Sequence, residues 1–405
     1  MFSHLKDSRA IALLLAATLT ILSNTLISPA LPGIQAHFAG QPYAELLTRM
    51  LVTAPALLVA IFAPFAGVLA DRFGRRPQLL AGVILFAIAG SAGMWLPSLP
   101  LILASRLVLG LAVALIMTAQ TALIGDYFSG ADLTRFMGLQ QAATNFGGLL
   151  FLLMSGWLAG WSPFAPFVLY AIALLYLPLF WVALPEPVHV HVQYHPNSQV
   201  QPTDDSGEPG WLMTFATIVV LAVVSMACFY ILPTQAPYFL AYIGFPEPST
   251  TAFFLGAVTL AGGVASLTFG HVHERLGSAK TSAMGFGFFA AGFVLFAIAD
   301  DLPMVFAGAL GSGTAIGLTM PIFMSIALDV APARRRGIAA GVVTTSIYLG
   351  QFLSPLISQP LIDTVGFSRL FSMSAIALAL LGVLSLISFR GQSATGCLDH
   401  SPGTH

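Results

Sequence analysis

Charge is what this sequence lacks most. Of 405 residues, 15 are lysine or arginine and 16 are aspartate or glutamate, 8% in all, against 57% hydrophobic. A soluble globular domain carries about a quarter charged residues, so a water-soluble class is excluded, and no nucleic-acid partner is expected. Cysteine is nearly absent as well. Cys228 and Cys397 cannot build a disulfide framework; the first reads as a small buried residue and the second as a stray thiol in a polar tail. Carboxylates and histidines are missing from one place in particular. None of the 16 acids falls in the middle third of a long apolar run, and all nine histidines lie in loops, tails or run ends. The chain also lacks a nucleophile–base pair, a metal cluster and a phosphate loop. No enzyme activity, cofactor or metal site is therefore expected.

Long apolar runs are abundant. A helix of roughly 20 apolar residues crosses a bilayer core, and only helices and closed barrels satisfy their backbone in lipid. The runs here are continuous, where a barrel would alternate. They give twelve spans, at 10–31, 46–70, 78–97, 99–124, 135–160, 164–184, 211–241, 251–272, 279–299, 302–328, 337–361 and 366–389. The fold class read from this is an all-α integral membrane protein, with the first run kept as a helix rather than cleaved as a leader.

The few charges are placed asymmetrically. If both termini are cytoplasmic, the inner side holds Lys6, Arg9, Arg72, Arg75, Arg76, Arg135, Arg275, Lys280, Arg334, Arg335, Arg336 and Arg390, and the outer side only Arg49 and Arg369. Lysine and arginine are retained on the cytoplasmic side, which sets the expected orientation. The longest polar segment, 185–210, is rich in proline, glycine, serine and acids. It reads as a cytoplasmic linker between a bundle at 1–184 and a second at 211–390, ahead of a polar tail at 391–405. Its His189, His191 and His195 have no matching ligands and read as polar linker.

The two halves echo each other. Gly67, Asp71, Arg72 and Gly74 in "GVLADRFG" correspond to Gly270, Glu274, Arg275 and Gly277 in "GHVHERLG", at a constant offset. Asp126 corresponds to Asp329, and Arg135-x-x-Gly138 to Arg334-x-x-Gly337. An internal duplication of six helices predicts a pseudo-symmetric pair of bundles. In transporters built this way the substrate site lies between the repeats near the midplane.

On these residues the chain resembles the major facilitator superfamily of secondary transporters. "GVLADRFGRR", with Gly67, Asp71, Arg72, Gly74, Arg75 and Arg76, is similar to that family's signature between the second and third spans. "SRLVLG", with Arg106 and Gly110, is similar to a second signature, and "SPALP" in the first span resembles the drug-exporter branch. The resemblance implies a small organic substrate, a lipid-embedded monomer and coupling to protons. It also implies a gating latch. Asp71 would sit at the start of the eleventh span near Ile338, Arg72 and Arg76 would pair with the opposite half, and Glu274 and Arg275 would form the second copy. The chain departs from the family in two places: the first span carries Asn24 and Thr25 where exporters often have an acid, and the fifth has Gly147 and Gly148 without a proline.

The expected cavity lining is Asn24, Arg106, Gln120, Asn145, Tyr230, Gln235, Tyr238, Tyr348 and Gln351. Two prolines break the seventh span beside Tyr230, Gln235 and Tyr238, and broken spans border sites. Arg106, roughly 10 Å into its span, would read an anionic group, tune a proton site or snorkel to the headgroups. Glu45 and Arg49 read as a modest surface pair. With no mid-membrane acid, proton linkage would run through rim groups such as Glu45 or Asp126. Proton-coupled efflux leads the functional readings. Import of an anionic solute read by Arg106, and a non-transporting receptor, stand as alternatives.

Overall fold

The computed structural model describes residues 7–186, 211–332 and 335–389. Arg334, Arg390, Lys6, Cys397, the tail and nearly all of the 185–210 segment lie outside them. The helices are α1 (Ser8–Thr25), α2 (Leu31–His37), α3 (Ala44–Phe73), α4 (Arg75–Ser91), α5 (Leu99–Tyr127) and α6 (Gly130–Ala159). After a 3-10 stretch at Ala165–Ile172 come α7 (Ala173–Ala183), α8 (Trp211–Phe229), α9 (Ile231–Tyr242), α10 (Pro248–Ile298), α11 (Leu302–Val330) and α12 (Arg336–Ser388). No strand occurs among the described residues. Asp7 and Asp301 start α1 and α11 by accepting from the backbone N–H groups of Arg9 and Met304 at 2.9 and 3.0 Å.

Among the described residues, ten helical stretches are long and apolar enough to cross a membrane. Two of them, α10 and α12, run to 51 and 53 residues. At 1.5 Å per residue each would exceed roughly 75 Å, more than twice a bilayer core. Each contains a glycine outside helical space, Gly277 at φ 73° and Gly366 at φ 79°, a region that favours glycine. Counted as two helices at each glycine, the stretches are consistent with the twelve expected spans. The first span differs from its expected bounds. Pro29 and Pro32 remove N–H donors, so α1 stops at Thr25, and a 3-10 turn and α2 carry the chain on to His37. The seventh span breaks likewise at Tyr230, just before Pro233 and Pro237.

The core divides in two. One cluster of buried apolar residues is drawn from Ala10 through Leu184. The other comes from Ile218 through Phe389, joined by Leu152. The duplication is legible in the packing. A Cβ on Gly110 would fall within 3.0 Å of the Pro55 carbonyl, and one on Gly313 would meet the Val258 carbonyl in the same way. Gly82 faces Ile116 as Gly285 faces Thr319. All four correspondences keep the offset that relates Asp71 to Glu274. In both halves glycine lets two helix backbones touch. Gly110→Val and Gly313→Val are each expected to destabilise the protein by about 3 kcal/mol, the upper range for overpacking. Gly341→Val, at a position with nothing within 4 Å, should leave the thermal unfolding of the detergent-solubilised protein unchanged.

The halves meet at one end and splay at the other. Opposite the face that carries the Asp71 motif, Gly156 of α6 lies against Ala252 and Pro248 of α10. Further in, Gly256 meets Leu149 and Gly263 meets Asn145. Between α3 and α12, Thr345 donates to the Ala60 carbonyl at 3.4 Å. Toward the motif face the contact ends: a Cβ at Gly67, Gly138, Gly270, Gly277, Gly337 or Gly341 would meet nothing within 4 Å. The molecule is thus closed on one face and open on the motif face.

Candidate functional site

Between the halves lies a cavity of about 540 Å³, within the range of small-molecule sites. It sits where the first helix of each half breaks. Asn24 and Thr25 end α1, and Tyr230 is the joint between α8 and α9. Gln141 and Asn145 enter from α6, Thr259 and Ser266 from α10, and Gly313, Gly317 and Met320 from α11. Among the described residues no charged side chain lines it. The glycines let α11 press on α10, where Gly317 faces the Gly262 carbonyl, and so leave room for a solute. The lining offers amide and hydroxyl groups set among apolar surface. That chemistry holds a solute by a few directional hydrogen bonds and by burial, not by countercharge.

The Asp71 motif is built inside its own half. Gly74, at φ 93°, turns the chain from α3 into α4. The Glu186 carboxylate accepts the N–H groups of Arg75 and Arg76 at 2.7 and 2.8 Å, where an acid is favoured by the exposed donors and dipole of α4. Arg75 pairs with Asp126 at the end of α5 and reaches the Ala122 carbonyl at 3.4 Å. Arg76 donates to the Trp181 carbonyl, with its guanidinium 4.5 Å from that ring. Asp71 lies 3.8 Å from Arg75, but its side chain is 74% exposed. Arg72 lies over Phe73 at 5.4 Å. Glu274 and Arg275 are exposed, and neither forms an ion pair among the described residues. Among the described residues, Asp71, Arg72 and Arg76 form no ion pair with the opposite half, and the motif face is open. Ile338, the expected neighbour of Asp71, is itself exposed.

The polar contacts between the halves are on the other face. Arg49 is only 4% exposed. Its Nε donates to Oε1 of Gln235 at 2.8 Å, and Nη1 donates to Gln35 at 3.1 Å and to the Glu45 carbonyl at 2.7 Å. Its guanidinium sits 3.9 Å from the Tyr238 ring centre. Gln235 then donates to Ser358 at 3.1 Å and to Gln359 at 3.3 Å. Gln359 donates to Asp363 at 2.8 Å and back across the interface to Glu45 at 3.3 Å. The expected surface pair of Glu45 and Arg49 is therefore corrected. Arg49 is buried in the interface and takes the backbone carbonyl of Glu45, four residues before it on α3, while the exposed Glu45 carboxylate accepts from Gln359.

A model of the Major Facilitator Superfamily matches residues 13–355 and, overlapping, 218–396. The chain belongs to this superfamily. It is a multi-pass membrane transporter. The tetracycline resistance protein, class G, of Vibrio anguillarum is 28% identical over 382 residues, covering 91% of each chain. Multidrug resistance protein 2 of Bacillus subtilis (strain 168) is 22% identical, covering 90% of this chain and 91% of its own. Among solved structures, a D-xylose–proton symporter superposes with a TM-score of 0.76 at 19% identity, covering 95% of this chain and 97% of that one.

In this facilitator the predicted site residues separate into distinct places. Asn24, Asn145 and Tyr230 line the cavity. Gln235, Tyr238 and Glu45 belong to the closed face. Gln120 is buried and donates to the Leu13 carbonyl at 2.9 Å, tying α5 to α1. Tyr348 donates to the Met117 sulfur at 3.3 Å across the halves. Gln351 is buried with its Oε1 unpartnered. Arg106 does not line the cavity. It is fully buried and donates to the Gly90 carbonyl and, at 3.3 Å, to that of Ala89 at the end of α4. Phe167 and Tyr170 flank it, each ring centre 4.8 Å away. Its cost in lipid is met in part, by carbonyls at Nη2 and by aromatic faces, while Nε and Nη1 find no hydrogen-bond partner among the described residues. Residue type alone also missed Gln141, Thr259 and Ser266. Single hydroxyls and an amide in a long apolar run carry no signal until the helix faces are known.

Proposed function

We propose that this transporter exports small, amphipathic, uncharged organic molecules from the cytoplasm of a bacterium, exchanging them for protons and acting as a monomer in the inner membrane. The cavity carries the reading: amides, hydroxyls and an aromatic rim without any fixed charge. With Arg106 enclosed elsewhere, nothing in the lining favours an anionic solute. The excess of lysine and arginine on the motif side supports placing that face, and both termini, in the cytoplasm. Efflux is supported by relatives named for tetracycline and multidrug resistance.

In this reading the structure is the state that loads substrate from the cytoplasmic side. The switch closes the motif face, bringing Asp71 and Arg72 against the start of α12, and opens the opposite face by parting Arg49 from Gln235 and Glu45 from Gln359. Glu45 and Asp363 share the single Gln359 amide. A proton arriving from outside on either carboxylate would weaken that bridge, linking proton entry to opening. Asp126, held by Arg75, is the less available of the two rim acids.

Inverted membrane vesicles test this, with tetracycline and a panel of uncharged amphipathic dyes as probes. An acid-inside pH gradient should drive uptake. Asp71→Asn, a change at an exposed side chain, should reduce that uptake at least tenfold with normal insertion, and Glu45→Gln should flatten its pH dependence. Uptake driven only by the reverse gradient, or undiminished in the Asp71→Asn protein, would overturn the proposal.

A further inference from the structure

A second hollow, of about 160 Å³, lies between α6 and α10. Gly138, Ala142, Phe146 and Leu149 form one wall, and Leu260, Val264 and Leu267 the other. Three further lining residues, Gln141, Asn145 and Ser266, also line the central cavity. The two spaces therefore adjoin at these residues, and polar groups stand only where they meet. Gln141 donates to Asn145 at 3.3 Å at this junction. Outward of it the lining is apolar and open: Phe146 is 66% exposed and Leu267 77%.

The depth of the hollow identifies what surrounds it. α6 starts at the motif face with Gly130, so Gly138 lies roughly 12 Å and Leu149 roughly 28 Å along it at 1.5 Å per residue. The hollow thus runs from the motif-side half of the span to just past the midpoint of α6, at depths where hydrocarbon and not water surrounds the spans. It exists because α6 and α10 touch beyond it, at Gly156 and Ala252, and diverge toward Gly138 and Gly270.

We propose that this hollow is a lateral arm of the substrate site. It takes the apolar tail of an uncharged amphipathic solute from the bilayer, while Gln141 and Asn145 hold the solute's polar end at the mouth of the cavity. This rests on the reading of the central cavity as a substrate site, and it adds a tail-binding subsite with a defined class of ligand. A charged tail is excluded by the lining. A solute polar throughout gains nothing from the arm. A phospholipid chain is the rival occupant.

Binding, not transport, tests the proposal. The full-length protein in phosphatidylcholine nanodiscs is photolabelled with a diazirine-bearing octanol and with a diazirine-bearing butanol, and the labelled residues are mapped. Octanol should label α6 around Ala142 and Phe146 and α10 around Val264, and excess unlabelled octanol should compete. Gly138→Trp places an indole where nothing lies within 4 Å. It should reduce octanol labelling of the arm at least fivefold while leaving butanol labelling near Asn24 and Tyr230 unchanged. Gly138→Ala, which leaves the arm open, should label as wild type and controls for folding. Octanol labelling that Gly138→Trp does not alter, or label from a photoreactive phosphatidylcholine that octanol cannot displace, would overturn the proposal, the latter making the arm a lipid seat. Because no gradient or turnover enters the readout, absence of proton-driven export would refute the functional reading without changing these labels.

Discussion

Arg49→Met opens the face that this structure shows closed. Arg49 is the charged centre of the network that joins α3 to α9, and through Gln235 and Gln359 to α12. Hydrogen bonds to a charged group contribute about 1.5–3 kcal/mol each, and only the bond to Gln235 crosses between the halves. Its loss should move the balance between the two facing states roughly ten- to hundredfold toward the one with that face open. Methionine keeps most of the side-chain volume, so packing on Tyr238 is largely retained. The readout is a single cysteine at Ser354, which is buried on α12 one turn from Ser358, in a protein with Cys228→Ala and Cys397→Ser. An impermeant maleimide added on the Arg49 side should label it slowly in the parent and at least tenfold faster with Arg49→Met. Arg49→Lys should fall between, since an ammonium on a flexible stem cannot reproduce the planar guanidinium's directed bonds. A parental labelling rate in the methionine variant would show that closure rests on packing such as Gly156 on Ala252.

Arg106→Ala is expected to be a stability mutant, not a binding mutant. The change removes donors to the Ala89 and Gly90 carbonyls and empties the space between Phe167 and Tyr170. Truncating large buried side chains costs about 3–5 kcal/mol, and the orphaned carbonyls add to it. Tyr170 also donates to the Leu22 carbonyl at 3.2 Å, so the disturbance reaches α1 two residues before Asn24. Thermal unfolding in detergent should fall sharply for Arg106→Ala and less for Arg106→Met, which keeps the volume. Photolabelling of the cavity by the butanol probe should persist at near-parental affinity in whatever fraction stays folded. A folded, fully stable alanine variant that no longer takes the probe would return Arg106 to the substrate site.

These two arginines show where reading the chain alone stops. Arg106 is a rare charge well inside an apolar run, and that rarity marked it as a residue with a partner. It did not say which partner. Arg106 could be matched against acids, amides or substrate by sequence, but its partners are backbone carbonyls and ring faces, which every residue or any aromatic can supply. Arg49 looked like half of a helical pair because Glu45 stands four residues before it. The nearer claim came from Gln235, in the other half of the chain.

The sequence by itself determined the class of molecule: hydrophobic runs of bilayer length, a charge bias between loops, and a repeated glycine–acid–arginine pattern need no contacts to be read. It also located the break in the seventh span, because proline lacks an N–H wherever it stands. Tertiary structure decided which way each polar side chain points, that no charged side chain among the described residues lines the cavity, that Glu186 caps the Asp71 motif, and that the motif face is open while the opposite face is closed. Those facts depend on the rotation of each helix about its axis and on the angle between the two halves. Packing between helices distant in sequence fixes both, and such packing leaves no periodic trace in a run that is apolar on every face.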